Sequence, residues 1–202
     1  MKVAILGASG RAGSEITSEL ARRGHEVLAI ARKPEAIPAA PGVTAVAGDA
    51  SDPAVLAGLI RGSDAVVSAL HFDVTAETLL SALRQAGVAR LLVTGGAASL
   101  KVASGERLID TPDFPEDWKS FAMGGIAFLA ALREEKAIDW TFFSPAAVIF
   151  EGPRTGRYRS GGDELVTDDA GDSRISFADY AIAMADELEQ QRHSRARFTA
   201  AY

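Results

Sequence analysis

The sequence contains no cysteine. That excludes a disulfide-stapled scaffold, a thiolate zinc site and a cysteine nucleophile, and any redox chemistry must come from a cofactor. Histidine is scarce: His25, His71 and His193 are the whole complement, and their positions along the chain argue against a metal cluster. Positive charge is not in excess either. With 21 Lys and Arg against 27 Asp and Glu, the net charge of −6 repels a polyphosphate backbone, so no nucleic-acid partner is expected. Long apolar runs are also missing. Val3 to Leu6 is too short for the hydrophobic region of a signal peptide, and the most apolar later stretch, Phe142 to Phe150, falls far below the roughly 20 residues of a membrane helix. A cytoplasmic protein with no membrane association is expected. No repeat, low-complexity tract or Gly/Ser linker divides the 202 residues, which predicts one domain over 1–202.

What the chain does have is a series of short apolar runs: Val3 to Leu6, Val27 to Ala31, Val43 to Ala47, Ala65 to Ala69, Leu91 to Thr94 and Trp140 to Ser144. They do not alternate in polarity, as strands buried on both faces do not. Between them lie apolar residues at helical spacing, and three of these segments end at Gly24, Gly62 and Gly87, the residue type that tolerates a left-handed helix terminus. The pattern predicts an α/β fold with a doubly wound parallel sheet. Ligands of such sheets bind outside the carboxyl ends of the strands. Residues 151–172 carry five glycines and short β-like pieces, and predict a small hairpin-containing cap near the C-terminus. Ser176 then predicts the N-cap of a helix reaching about Gln190, followed by a terminal strand near Arg197 to Thr199.

The first strand runs straight into Gly7-Ala8-Ser9-Gly10-Arg11-Ala12-Gly13, which opens the first helix. Glycines in this context let the backbone approach a pyrophosphate, and the helix N-terminus supplies free N–H groups to it. About 20 residues further on, a site for NAD usually carries an acidic residue that binds the ribose hydroxyls. This chain has Arg32-Lys33 there, and a guanidinium suits the 2′-phosphate of NADP, so NADP(H) is favoured over NAD(H). Arg11 is placed to flank the same phosphate. After strand three, Asp52 and Pro53 read as N-cap and first residue of a helix, which leaves Asp49 either to accept from the adenine amine or to form a turn. Ala69-Leu70-His71 after strand four and Thr94-Gly95-Gly96 after strand five face the expected crevice. Gly95 and Gly96 are expected to leave room for a ribose or nicotinamide.

With these residues in view, the chain resembles the atypical short-chain dehydrogenases/reductases. It is close to the NADH-flavin reductases and biliverdin-reductase-B-like proteins, over nearly its whole length. Besides the glycine loop, the matching stretches are Val93 to Ala97, Asp110 to Pro115, Asp139 to Ala146 and Ser173 to Asp179. The resemblance implies a Rossmann fold, NAD(P)H binding that includes Pro145 and Ala146, and reduction of a flavin (FMN or FAD as substrate) or a similar small-molecule acceptor. The same superfamily also holds non-catalytic redox sensors of the NmrA type, which stand as the alternative.

One departure from the superfamily bears on chemistry. Ordinary members carry Tyr-x-x-x-Lys on the helix after strand five, whereas the only tyrosines here are Tyr158, Tyr180 and Tyr202, all beyond strand six. A positioned acid contributes about 10²- to 10⁴-fold, so ketone chemistry is expected to be crippled while acceptors with their own electron sink suffer less. No catalytic residue is assigned. His71 is the one candidate for relaying a proton, although a surface or hydrogen-bonding role would explain it equally. Trp118 and Phe121 either stack on a planar acceptor or form core at helical spacing, and Gly124-Gly125 are expected to let an acceptor approach the helix.

Overall fold

Val3 and Ile5 face one side of a sheet and Ala4 and Leu6 the other, and all four are buried. This two-sided burial explains the unalternating run and sets the layers. The structure, a computed structural model, describes residues 1–202. The elements carrying the first half are β1 (Lys2–Leu6), α1 (Arg11–Arg22), β2 (Glu26–Ala31), β3 (Val43–Ala47), α2 (Pro53–Ile60), β4 (Ala65–Ser68), α3 (Ala76–Ala86) and β5 (Arg90–Thr94). The second half adds α4 (Glu116–Glu134), β6 (Asp139–Ser144), β7 (Val148–Phe150), β8 (Arg159–Gly161), β9 (Arg174–Ser176), α5 (Phe177–Gln190) and β10 (Ala196–Ala201).

The main sheet has the order β3-β2-β1-β4-β5-β6-β10-β8 and is parallel except for β8 against β10. Ile16 and Leu20 of α1 and Met184 and Leu188 of α5 pack on the Val3/Ile5 face. Leu56, Leu79, Leu83 and Leu132, from α2, α3 and α4, pack on the Ala4/Leu6 face. Each fully buried side chain of this kind contributes about 1.5–3 kcal/mol relative to exposure. The predicted helix stops are present, with Gly24, Gly62 and Gly87 at φ of +83°, +78° and +74°. Asp52 caps α2 through Ala54 N–H (2.8 Å) and Val55 N–H (3.2 Å), and Ser176 caps α5 through Asp179 N–H (3.0 Å). From β1 the chain winds outward to β3, then crosses back to β4 on the other side of β1. That reversal opens a crevice above β1 and β4. No helix is long and apolar enough to cross a membrane.

Residues 151–172 depart from the expected hairpin. Arg159–Gly161 pairs antiparallel with β10 instead, and Glu164 makes a single bridge to Lys101 in the loop after β5. The outer edge of β10 would otherwise present a row of unpaired backbone groups, and β8 covers it. Upstream, the buried Asp179 carboxylate accepts from the N–H groups of Thr155 (2.9 Å) and Gly156 (2.8 Å) and from the Tyr202 hydroxyl (2.7 Å). The segment thus lies against α5 and β10. The parallel pair of β7 and β9 was not legible in the sequence at all.

Arg154 of this segment also reaches α1, where Glu19 accepts from Arg154, Arg22 and Arg23. Burial alone would raise the Glu19 pKa, but the hydrogen bonds from Arg154, Arg22 and Arg23 overcome it and hold the carboxyl at about 2, down from 4.5. A depressed folded-state pKa means that this stabilisation is complete above the unfolded value and is lost as pH falls from about 4.5 to about 2. Glu19→Gln is expected to lower Tm at neutral pH by about 2–4 °C, the equivalent of about 1 kcal/mol in a chain of this size. It should also flatten the acid limb of the Tm–pH curve. A wild-type acid limb in the variant would contradict the pairing.

Candidate functional site

The three glycines of the first loop do different jobs. Gly7 has φ +77°, and a Cβ there would lie 2.6 Å from the Ala69 carbonyl oxygen, where the ends of β1 and β4 meet. A Cβ on Gly13 would lie 2.2 Å from the Gly7 carbonyl oxygen, so that glycine is required to pack the first turn of α1 on the loop. Gly10 has an ordinary extended backbone (φ −79°, ψ 167°), and its Cβ would meet only the Gly7 carbonyl, at 3.3 Å. A side chain at position 10 meets no strained φ and requires only that the Gly7 carbonyl give by a few tenths of an ångström. The residue lines the crevice, and its missing side chain leaves the backbone open to a ligand.

The helix start agrees. Asp52, Thr75 and Ser176 cap α2, α3 and α5 with side-chain oxygens, whereas α1 at its N-cap Gly10, like α4 at Pro115, has no side-chain cap. No carboxylate lies in the first turn of α1. An uncapped helix N-terminus behind an open glycine fits a pyrophosphate.

The crevice has a volume of about 850 Å³. Its floor is Gly7, Ser9 and Gly10, one wall is Arg32 and Lys33 after β2 with Asp49 after β3, and the other is Ala69, Leu70 and His71 after β4. Arg32 is exposed. Asp49 forms the turn, accepting from Ser51 N–H at 2.9 Å. That bond, and then the positive charge of Arg32, hold its carboxyl below the usual range. Ser51, Asp73 and Val74 also line the crevice. No signal in the sequence marked them, because they are placed by the turns after β3 and β4.

Several expected residues sit elsewhere. The Arg11 guanidinium lies over the Phe177 ring, 5.3 Å from its centroid, at the start of α5, which corrects its expected place beside Arg32. Ala12 and Gly13 belong to the first turn of α1. The space a side chain would take at Gly95 is filled by the protein, since a Cβ would lie 2.3 Å from Phe142 Cε1, whereas Gly96 meets only Phe72 Cε2, at 4.0 Å. Thr94 ends β5, and Pro145 follows β6 beside Ala146, which is 1% exposed, backbone included, and so corrects its expected place at the ligand. None of these last five residues lines the crevice, and no residue of 151–172 does.

Trp118 and Phe121 are not core: they are 63% and 56% exposed. Phe121 packs edge-on against His71, with ring centroids 5.6 Å apart, and this contact joins α4 to the rim of the crevice. His71 is exposed there and makes no hydrogen bond to the protein. His25 pairs with Glu189 and His193 with Glu187, away from that rim.

The tyrosines are all committed to structural contacts. Tyr180 is buried in a stack with Phe143 and Phe198 and donates to the Phe143 carbonyl at 2.9 Å; burial drives its pKa up. Tyr158 donates to Asp186, and burial, with that hydrogen bond, raises its pKa as well. Tyr202 donates to Asp179.

A parallel sheet reversing at β1, a glycine loop leading into an uncapped helix and a crevice above them define a dinucleotide-binding protein. A family described as NAD(P)H-binding matches residues 7–189. The chain belongs to this NAD(P)H-binding family, and its fold is of the Rossmann type. It is 43% identical to the protein YwnB of Bacillus subtilis (strain 168) over 98% of this chain and 97% of that protein. A crystal structure from Burkholderia pseudomallei, named as a "putative exported protein", superposes with a TM-score of 0.91 at 44% identity, covering 100% of both chains. A Streptococcus pneumoniae structure, named as a "putative NADH-flavin reductase", has a TM-score of 0.84 at 34% identity, covering 100% of this chain and 99% of that one.

Proposed function

We propose that the protein is an NADPH-dependent reductase of flavins or similarly conjugated acceptors. The observation that carries this reading is a crevice that joins an open glycine loop to an exposed Arg32 and has no tyrosine at its rim. When bound, NADPH supplies the hydride. The backbone at Gly7, Ser9 and Gly10, with the first-turn N–H groups of Arg11, Ala12 and Gly13, binds the pyrophosphate. Arg32, assisted by Lys33, binds the 2′-phosphate, and the free oxygen of Asp49 faces the adenine. Ala69 to His71, Thr94 to Gly96 and the backbone at Pro145 hold the nicotinamide end. Trp118 and Phe121 stack on the acceptor. With no tyrosine present, the acceptor stabilises the incoming charge itself and takes its proton from water or from His71.

Oxidation of NADPH by the purified protein in the presence of FMN tests the reaction: catalytic turnover is expected, and its absence with every conjugated acceptor would refute the proposal. Cofactor choice is tested separately. NADPH is expected to bind about 10- to 150-fold more tightly than NADH, the range of one charge-assisted hydrogen bond of roughly 1.5–3 kcal/mol. Arg32→Glu should erase or reverse that ratio in a titration of both cofactors. Equal wild-type affinities would remove Arg32 from the site.

A further inference from the structure

Phe72, the residue after His71, meets glycine on two elements. A Cβ on Gly125 would lie 2.8 Å from Phe72 Cε2, one on Gly124 3.2 Å from Phe72 Cβ, and one on Gly96 4.0 Å from Phe72 Cε2. Gly124 and Gly125 lie inside the 19-residue α4, where glycine is less favourable than alanine. They correct the expectation that this notch admits an acceptor, because the protein's own ring occupies it. On its remaining sides the ring is bounded by Phe128 (centroids 5.6 Å apart), Phe121 (5.8 Å) and Phe142 (6.3 Å). Phe142 in turn fills the space beside Gly95. Phe72 therefore stands between α4, which carries Trp118 and Phe121, and the turn after β5. The loosest of its glycine contacts is toward Gly96.

We infer that Phe72, seated on Gly124 and Gly125, is a specificity-determining wedge whose bulk sets the width of the acceptor slot between α4 and Gly96. The inference rests on the reductase reading above. A smaller side chain at 72 widens the slot and favours broad ring systems. A methyl group at 125 forces the Phe72 ring toward Gly96, the side with space, and narrows the slot. The two changes thus act in opposite directions on selectivity, which a general loss of packing would not produce.

The test compares kcat/KM for lumiflavin, a three-ring acceptor, with that for duroquinone, a single-ring one, in wild type, Phe72→Leu, Gly125→Ala and the double variant. Phe72→Leu should raise the lumiflavin-to-duroquinone ratio and Gly125→Ala should lower it, each by about 10-fold or more, the scale of small volume changes in an apolar pocket. The double variant should return toward the wild-type ratio, and the NADPH Kd should stay constant throughout. Ratios that move together, or that do not move, would overturn the wedge while leaving the reductase reading intact. A wild type that turns over neither acceptor would overturn both. Gly125→Ala adds a favourable helix residue but must displace the Phe72 ring, so a thermal melt checks each variant, and either one that stays folded keeps the test available.

Discussion

Gly10→Val is expected to weaken NADPH binding by about 10²- to 10⁴-fold, the equivalent of two lost charge-assisted hydrogen bonds, while the protein stays folded. The prediction depends on the contrast among the three glycines. At Gly7 a side chain would meet a positive φ and the Ala69 carbonyl, and at Gly13 it would run into the Gly7 carbonyl at 2.2 Å, so substitutions there damage the loop itself. At Gly10 the backbone is unstrained and the nearest protein atom is 3.3 Å from the added Cβ. The isopropyl group of valine would instead occupy the approach to the N-terminus of α1, where the pyrophosphate belongs. Calorimetry reads the affinity and a thermal melt reads the fold. A folded variant that keeps its NADPH affinity would show that the glycine loop is structural only.

The parallel strands were legible because burial on both faces leaves short unbroken apolar runs, and the helix ends because glycine at Gly24, Gly62 and Gly87 carries a local conformational demand. The crevice was legible for the same reason. Gly7, Gly10, Arg32, Asp49 and His71 all sit in the short connections that follow strands, where position in the chain dictates position in the fold. What could not be read were contacts made across long stretches of chain. Nothing near Gly95 announces that Phe142 fills the space beside it, nothing near Gly124 announces Phe72, and Arg11 is drawn to Phe177, a residue far along the chain. The hairpin failed for a related reason: the glycines of 151–172 mark turns, but the partner of β8 is β10, chosen by an exposed sheet edge.

The reaction class depends on the absence of a tyrosine acid at the rim. Tyr158, Tyr180 and Tyr202 are held by Asp186, the Phe143 carbonyl and Asp179, and the titratable residues that border the crevice are Arg32, Lys33, Asp49, His71 and Asp73. A flavin or quinone delocalises the charge that arrives with hydride, whereas an isolated carbonyl needs a proton delivered as its oxygen becomes negative. A positioned acid contributes about 10²- to 10⁴-fold, and that factor should separate the two acceptor types. The most direct measurement is therefore NADPH oxidation followed by absorbance across a panel of free flavins, quinones, unactivated ketones and aldehydes. The account predicts kcat/KM for the best flavin or quinone at least about 10²-fold above that for any simple ketone. Efficient reduction of an unactivated ketone would contradict it and make His71 the first residue to replace. Tight NADPH binding with no turnover on any acceptor would contradict it too, and would favour a redox sensor.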